Sequence, residues 1–314
     1  MRILVSGSHG LIGAALCREL EKAGHDLARL VRARGGEPGV VFWDPEHGRL
    51  QARDLEGMDA IVHLAGESIA RRRWSAAHKE RIRHSRVAGT RLLVETIGRL
   101  ERPPRVFVSA SAIGYYGDRG EETMQEEHEA GRGFIADVCQ AWEDAAMSAA
   151  RPGLRVVCLR FGMVLAAHGG PLQQMLLPFR FGLGGIAGDG RHYMSWIALD
   201  DAVGVIIRAI LTKTLAGPVN AVSPHPVRNA EFTRVLGRVL GTPTPLRMPA
   251  PVLRLLFGEI ADEVILASQR VEPIRLIATG YRFRYPDLEA ALRRALGKPE
   301  LGAQASRLQQ SRAA

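Results

Sequence analysis

A chain of 314 residues, 46% hydrophobic and 24% charged, can bury a full α/β core in one large domain or two. No stretch approaches the roughly 18 uninterrupted apolar residues of a membrane span, so no membrane partner is expected. The formal charge of +9 invites an acidic partner, yet the basic residues are scattered without aromatic companions; Arg71-Arg72-Arg73 reads as a solvated turn, and nucleic acid is not expected.

Residues 2–6 are a short apolar run that reads as a buried strand, and Gly7-Ser8-His9-Gly10-Leu11-Ile12-Gly13 follows at once. Residues 14–23 have helical spacing up to Gly24, and 27–31 form a second apolar run ending at Arg32. Strand, glycine turn, helix and strand make half of a dinucleotide-binding unit. Gly7 permits the tight turn, Gly10 lets the backbone approach a pyrophosphate, and Gly13 lets the helix pack on the strand. The amides of this turn, from Gly7 and Ser8 to Leu11 and Ile12, join the helix dipole in holding an anion. At the end of the second strand a carboxylate would select NAD. Val31-Arg32-Ala33-Arg34 stands there instead, and a guanidinium suits a 2′-phosphate, so Arg32 points to NADP(H).

Arg2 ahead of a mostly apolar stretch imitates a signal peptide, but His9 and the glycines break it and no A-x-A-like site follows, so a cytoplasmic protein is expected. Cys17, Cys139 and Cys158 are odd in number and lack metal-ligand spacing; no metal is expected, and Cys17 and Cys158 read as buried hydrophobes.

Residues 40–43 and 59–66 are further strands. Leu64-Ala65-Gly66, at a strand's carboxyl end, is placed to pass beneath an adenosine ribose. Residues 75–100 read as one helix with a basic stripe at Lys79, Arg83, Arg86 and Arg91. The strand at 105–111 ends in Ser109-Ala110-Ser111, where a nicotinamide would lie, and Tyr115 and Tyr116 follow. Ser109 or Ser111 is a candidate to polarise a carbonyl, and Tyr115 or Tyr116 to supply a proton. A strand over 156–160 runs into Phe161-Gly162, residues 182–190 read as a glycine-rich loop over the site, and Asn229 reads as the cap of a helix to Leu240. Short helices end with 287–296, and the tail beyond residue 298 has no useful periodicity.

The G-x-x-G-x-x-G spacing resembles the extended short-chain dehydrogenases/reductases. A closer resemblance is to an atypical branch, the YfcH-like epimerase family proteins, which carry a C-terminal domain of unknown function. It rests on Leu64-Ala65-Gly66-Glu67, Arg73-Trp74 with Ser85-Arg86, residues 134–143, Leu177-Pro178-Phe179-Arg180 with Gly182-Leu183-Gly184-Gly185, Ser195-Trp196-Ile197, Asn229-Ala230-Glu231-Phe232 and Ala278-Thr279-Gly280-Tyr281. The resemblance implies a Rossmann-type doubly wound parallel sheet over 1–225, part of the substrate cleft at about 165–200, and a small helical lobe over 226–298. It also makes Arg32, Leu64, Ala65, Arg86 and Arg160 cofactor contacts. Short-chain dehydrogenases carry a Tyr-x-x-x-Lys pair, whose lysine lowers the tyrosine pKa. Here Phe134 or Ile135 stands for the tyrosine and Val138 or Cys139 for the lysine, and no lysine occurs between Lys79 and Lys213. The family's Trp-Ile-His is Trp196-Ile197-Ala198 in this chain. The implied activity is that of an NADP(H)-binding oxidoreductase or epimerase-like enzyme, monomer or homodimer, on a small anionic or carbonyl substrate. A redox-sensing or cell-division-related regulator that binds NADP(H) without turnover is the alternative.

Overall fold

The computed structural model describes residues 1–33, 38–69 and 73–299. Arg34, Arg71, Arg72 and the tail beyond Pro299 lie outside the described residues. Seven strands, β1 (Arg2–Ser6), β2 (Asp26–Val31), β3 (Val40–Phe42), β4 (Ala60–His63), β5 (Val106–Ala112), β6 (Arg155–Phe161) and β7 (Gly217–Ala221), form one sheet. Its order is β3-β2-β1-β4-β5-β6-β7, and every pair is parallel. Parallel strands are covered on both faces, which is why they read as near-continuous apolar runs.

The covering helices are α1 (Leu11–Lys22), α2 (Ala76–Gly98), α3 (Phe134–Met147), α4 (Gly170–Arg180) and α5 (Leu199–Leu211). Ile3, Val5, Val62, Val108 and Leu159 share a core with α1 and α5. Leu4, Ile61, Phe107 and Val156 point the other way and pack with residues of α2 and α3. The strand order reverses between β1 and β4, and a crevice outside the carboxyl ends of strands opens at such a switch point. The doubly wound architecture expected from the sequence is therefore the one observed.

The C-terminal lobe adds α6 (Asn229–Leu240), α7 (Ala250–Phe257), α8 (Ile274–Ala278) and α9 (Leu288–Ala295). A third core joins Leu172, Leu176 and Phe179 of α4 and Trp196 to Phe232 and Leu236 of α6 and Leu288 and Leu292 of α9. Ala198, where the resemblance leads one to expect histidine, is 2% exposed in this core, a packed position.

Two local expectations are corrected. The glycine-rich segment 182–190 is not all loop: Gly185–Ala187 is a strand paired in parallel with Leu246–Met248. Asn229 is not the cap of α6 but its first residue, and Arg228 holds the cap position. The Asn229 side chain instead accepts from the Ala187 amide at 2.9 Å and donates to the Met194 sulfur, tying that strand to the helix. Asp201, fully buried in the first turn of α5, accepts from the amides of Arg284 and Tyr285 at 2.7 and 2.9 Å and from the Tyr281 hydroxyl. It pins the lobe's return segment to the sheet domain.

Candidate functional site

At the switch point the backbone is brought close by residues without side chains. Gly7 has φ +66, and a Cβ there would lie 2.8 Å from the Leu64 carbonyl. A Cβ at Gly13 would fall on the Gly7 carbonyl oxygen, while Gly10 closes the turn by donating to that oxygen at 2.9 Å. Gly10 is the N-cap of α1, no side chain caps the helix, and its first turn holds no acidic residue. Amides at such a helix end lack intrahelical partners and favour an anion. Leu11 packs under Gly169 and Gly170, and Ile12 against the sheet core. Arg32 is exposed just past β2.

Beneath Leu64 and Ala65 lies a pair that local spacing gave no sign of. The Ser6 hydroxyl accepts from both amides, at 3.1 and 3.3 Å, and meets His63 Nδ1 at 2.6 Å. With two donors on it, the hydroxyl gives its own proton to Nδ1. His63 is fully buried beside Trp43 and Phe107, and burial alone pulls its pKa down to about 3, so the imidazole is neutral. Arg86 leans on Gly66, donates to the carbonyls of Glu67 (2.9 Å) and Ile82 (3.2 Å) and stacks over Trp142. No carboxylate ion-pairs with it among the described residues, and burial lowers its pKa.

The β5–β6 end is built from side chains. Ser109 and Ser111 share the β5 face covered by α3 and are 0% and 3% exposed. Ser111 donates to Glu143 at 2.6 Å, whereas Ser109 reaches only the neighbouring Ala110 carbonyl, at 3.2 Å. Ala110 packs on the opposite face, in the core of α1 and α5. Arg160, 2% exposed, forms a bidentate pair with Glu143, both bonds 2.8 Å, and donates to the Tyr116 hydroxyl at 2.8 Å. Tyr116 in turn donates to Asn220 Oδ1 at 2.8 Å. Burial pushes the Tyr116 hydroxyl up to about 12 against the opposing pull of Arg160. Tyr115 is half-buried, and the Arg160 guanidinium lies 3.5 Å from its ring centroid.

The structure thus brings Gly7, Ser8, Gly10, Gly13, Leu64, Ala65, Gly66 and Arg86 to one crevice. Ser111 and Arg160 meet each other through Glu143, below the surface. Ile135 is held against Gly114, and Phe134 packs edge-on to Trp74. Glu143, Asn220 and His63 were missed by sequence reasoning. Glu143 carried a signal: an acidic residue on the mostly buried face of an amphipathic helix needs a partner.

Fold and crevice together define a dinucleotide-binding protein of the short-chain dehydrogenase type. The chain belongs to the NAD dependent epimerase/dehydratase family, whose model matches residues 3–221, and residues 248–295 match a domain of unknown function, DUF1731. It is 41% identical over 297 residues to an epimerase family protein, Mb2239, of Mycobacterium bovis, covering 95% of this chain and 98% of the relative. The crystal structure of the human epimerase family protein SDR39U1 with NADPH is similar at a TM-score of 0.86 and 35% identity, covering 94% of this chain and 99% of that one. A nucleoside-diphosphate sugar epimerase from Corynebacterium glutamicum matches at a TM-score of 0.81 and 37% identity, over 99% of this chain and 61% of its own.

Proposed function

We propose that this protein is an NADP(H)-dependent oxidoreductase or epimerase-like enzyme that acts on a small anionic or carbonyl-bearing substrate without the Tyr-x-x-x-Lys pair. The observation that carries this reading is the crevice at Gly7, Gly13 and Leu64. Two positions there have no room for a Cβ, and the adjoining helix end is left uncapped. A dinucleotide pyrophosphate fits that arrangement, and the NADPH of the human relative supports it. Arg32, in place of a carboxylate, would take the 2′-phosphate. Leu64, Ala65 and Gly66 would line the adenosine side, and Arg86, half-buried and ion-paired to no carboxylate among the described residues, would face the cofactor's negative charge.

When bound, the cofactor supplies hydride chemistry. The chain's own residues supply position and a proton. Among the expected hydroxyls, Tyr115 is half-buried and is assigned the substrate-facing role. Ser111 fixes Glu143, which in turn orients Arg160 beneath the Tyr115 ring; Ser109, fully buried, bonds the neighbouring Ala110 carbonyl. Arg160, 2% exposed and stacked on that ring, would act on the cofactor through the ring rather than by direct contact. Three free cysteines without a disulfide favour a reducing compartment, the cytoplasm.

Titration with NADPH, NADP and NADH, followed by nicotinamide fluorescence, tests the cofactor; Arg32→Ala should cost NADPH about tenfold in affinity and NADH little. A screen of carbonyl compounds against the NADPH complex then tests turnover, which Tyr115→Phe should abolish while leaving NADPH affinity intact. The second reading, a redox sensor without turnover, is favoured by the commitment of Ser111 and Arg160 to Glu143. Tight NADPH binding with no oxidation across the screen would select it.

A further inference from the structure

The C-terminal lobe is rooted and tipped in two different ways. Its root is apolar: Leu276 of α8 joins the core of α1 and α5, and α6 and α9 join the third core. Its tip, residues 258–263, is linked to the sheet domain by carboxylates. Glu263, in the π-helical turn Ala261–Ile265, accepts from the amides of Phe134 and Ile135 at 2.9 and 2.8 Å, on the first residues of α3. Gly133 has φ +113, and a Cβ on it would come within 3.1 Å of that carboxylate; a missing side chain is what allows the seat. Glu259 ion-pairs with Lys79 in the first turn of α2, and Gly258 lies against the Arg73 guanidinium.

α2 leads into β5 and α3 into β6, both parallel to β4, so both helices begin at the carboxyl edge of the sheet, where the dinucleotide crevice opens. The tip therefore reaches from the lobe to two helix starts beside that opening. Carboxylate links to a helix end and to a lysine exchange readily with water; the tip's own buried apolar groups are small in number, Ile260 (7% exposed) and Ala261 (0%), and the apolar root lies outside it. Opening at the tip is thus a local event that leaves the lobe folded.

The geometry points to a latch: residues 258–263 close the lobe over the dinucleotide crevice, and Glu263 is the positioning residue that holds it closed. The latch rests on the reading of that crevice as an NADP(H) site. With the tip closed, bound cofactor leaves slowly; with it open, cofactor exchanges. The DUF1731 region would then set residence time and touch no reacting atom.

Stopped-flow fluorescence of NADPH on the full chain measures association and release, and hydrogen exchange reads the amides of Phe134 and Ile135. Glu263→Ala should release NADPH about tenfold faster and unprotect both amides, with the melting temperature nearly unchanged; Gly133→Ala should speed release as well, but its φ of +113 adds backbone strain that lowers the melting temperature. Glu263→Gln, which keeps an acceptor without the charge, should fall between. A lid that only stabilises the fold would move melting temperature and not release rate. Lost amide protection with an unchanged release rate would overturn the latch alone. Failure of the unsubstituted chain to bind NADPH would overturn the reading of the crevice, and the latch with it.

Discussion

At the β1–β4 end of the sheet, the polar groups facing the crevice are backbone amides left open by glycines. At the β5–β6 end the polar groups are buried side chains already bonded to one another: Ser111 to Glu143, Glu143 to Arg160, Arg160 to Tyr116, and Tyr116 to Asn220. The first end can accept an anion without giving anything up. The second fixes the floor of the cleft, because a buried charge keeps its geometry only while every partner stays in place. Nucleotide recognition is thus assigned to the main chain, and rigidity beneath the substrate to a polar core.

The largest way to break this contrast is Glu143→Ala. It leaves Arg160 buried without a counter-charge and should destabilise the fold by about 3–5 kcal/mol in chemical denaturation. Replacing both members of the pair by apolar residues of similar volume should recover much of that loss. A double-mutant cycle with no coupling between positions 143 and 160 would mean the pair contributes nothing.

Gly13→Ala acts at the other end. Its methyl group falls on the Gly7 carbonyl, and overpacking of this kind costs about 1–3 kcal/mol. NADPH affinity, read by fluorescence, should fall far more than stability, because the displaced turn carries the anion-holding amides. Equal NADPH affinity in Gly13→Ala would separate the turn from cofactor binding.

The effect that is smallest at neutral pH, where it vanishes, grows towards the extremes. His63 titrates near 3 when folded and about 6.5 when unfolded, so the unfolded chain takes up its proton first. Stability should fall as pH drops from about 6.5 towards 3. Tyr116, raised to about 12, keeps its proton longer in the fold than in the unfolded chain, so stability should also fall as pH rises from about 10 towards 12. Denaturation midpoints across pH should flatten on the acid side in His63→Phe and on the alkaline side in Tyr116→Phe.

The sequence by itself determined the apolar strands at the start of the chain and at 59–66, 105–111 and 156–160, the glycine turn and the long α2. Each is written locally. A strand buried on both faces must be apolar throughout, a turn pressed against Leu64 must lack side chains, and the helix read over 75–100 shows its spacing within itself, with Ser75 turning out to be its cap. Tertiary structure alone decided the rest. The bonds of the Ser111–Glu143–Arg160–Tyr116–Asn220 network join residues 17 to 104 apart. Glu263 meets Phe134 at a separation of 129, and the pairing of Gly185–Ala187 with Leu246–Met248 diverted Asn229 from its expected cap. A two- or three-residue strand has too few positions to show a period, and a buried hydroxyl or carboxylate has no local spacing that names its partner. What those side chains do was settled by which distant segment the sheet and its cores brought alongside them.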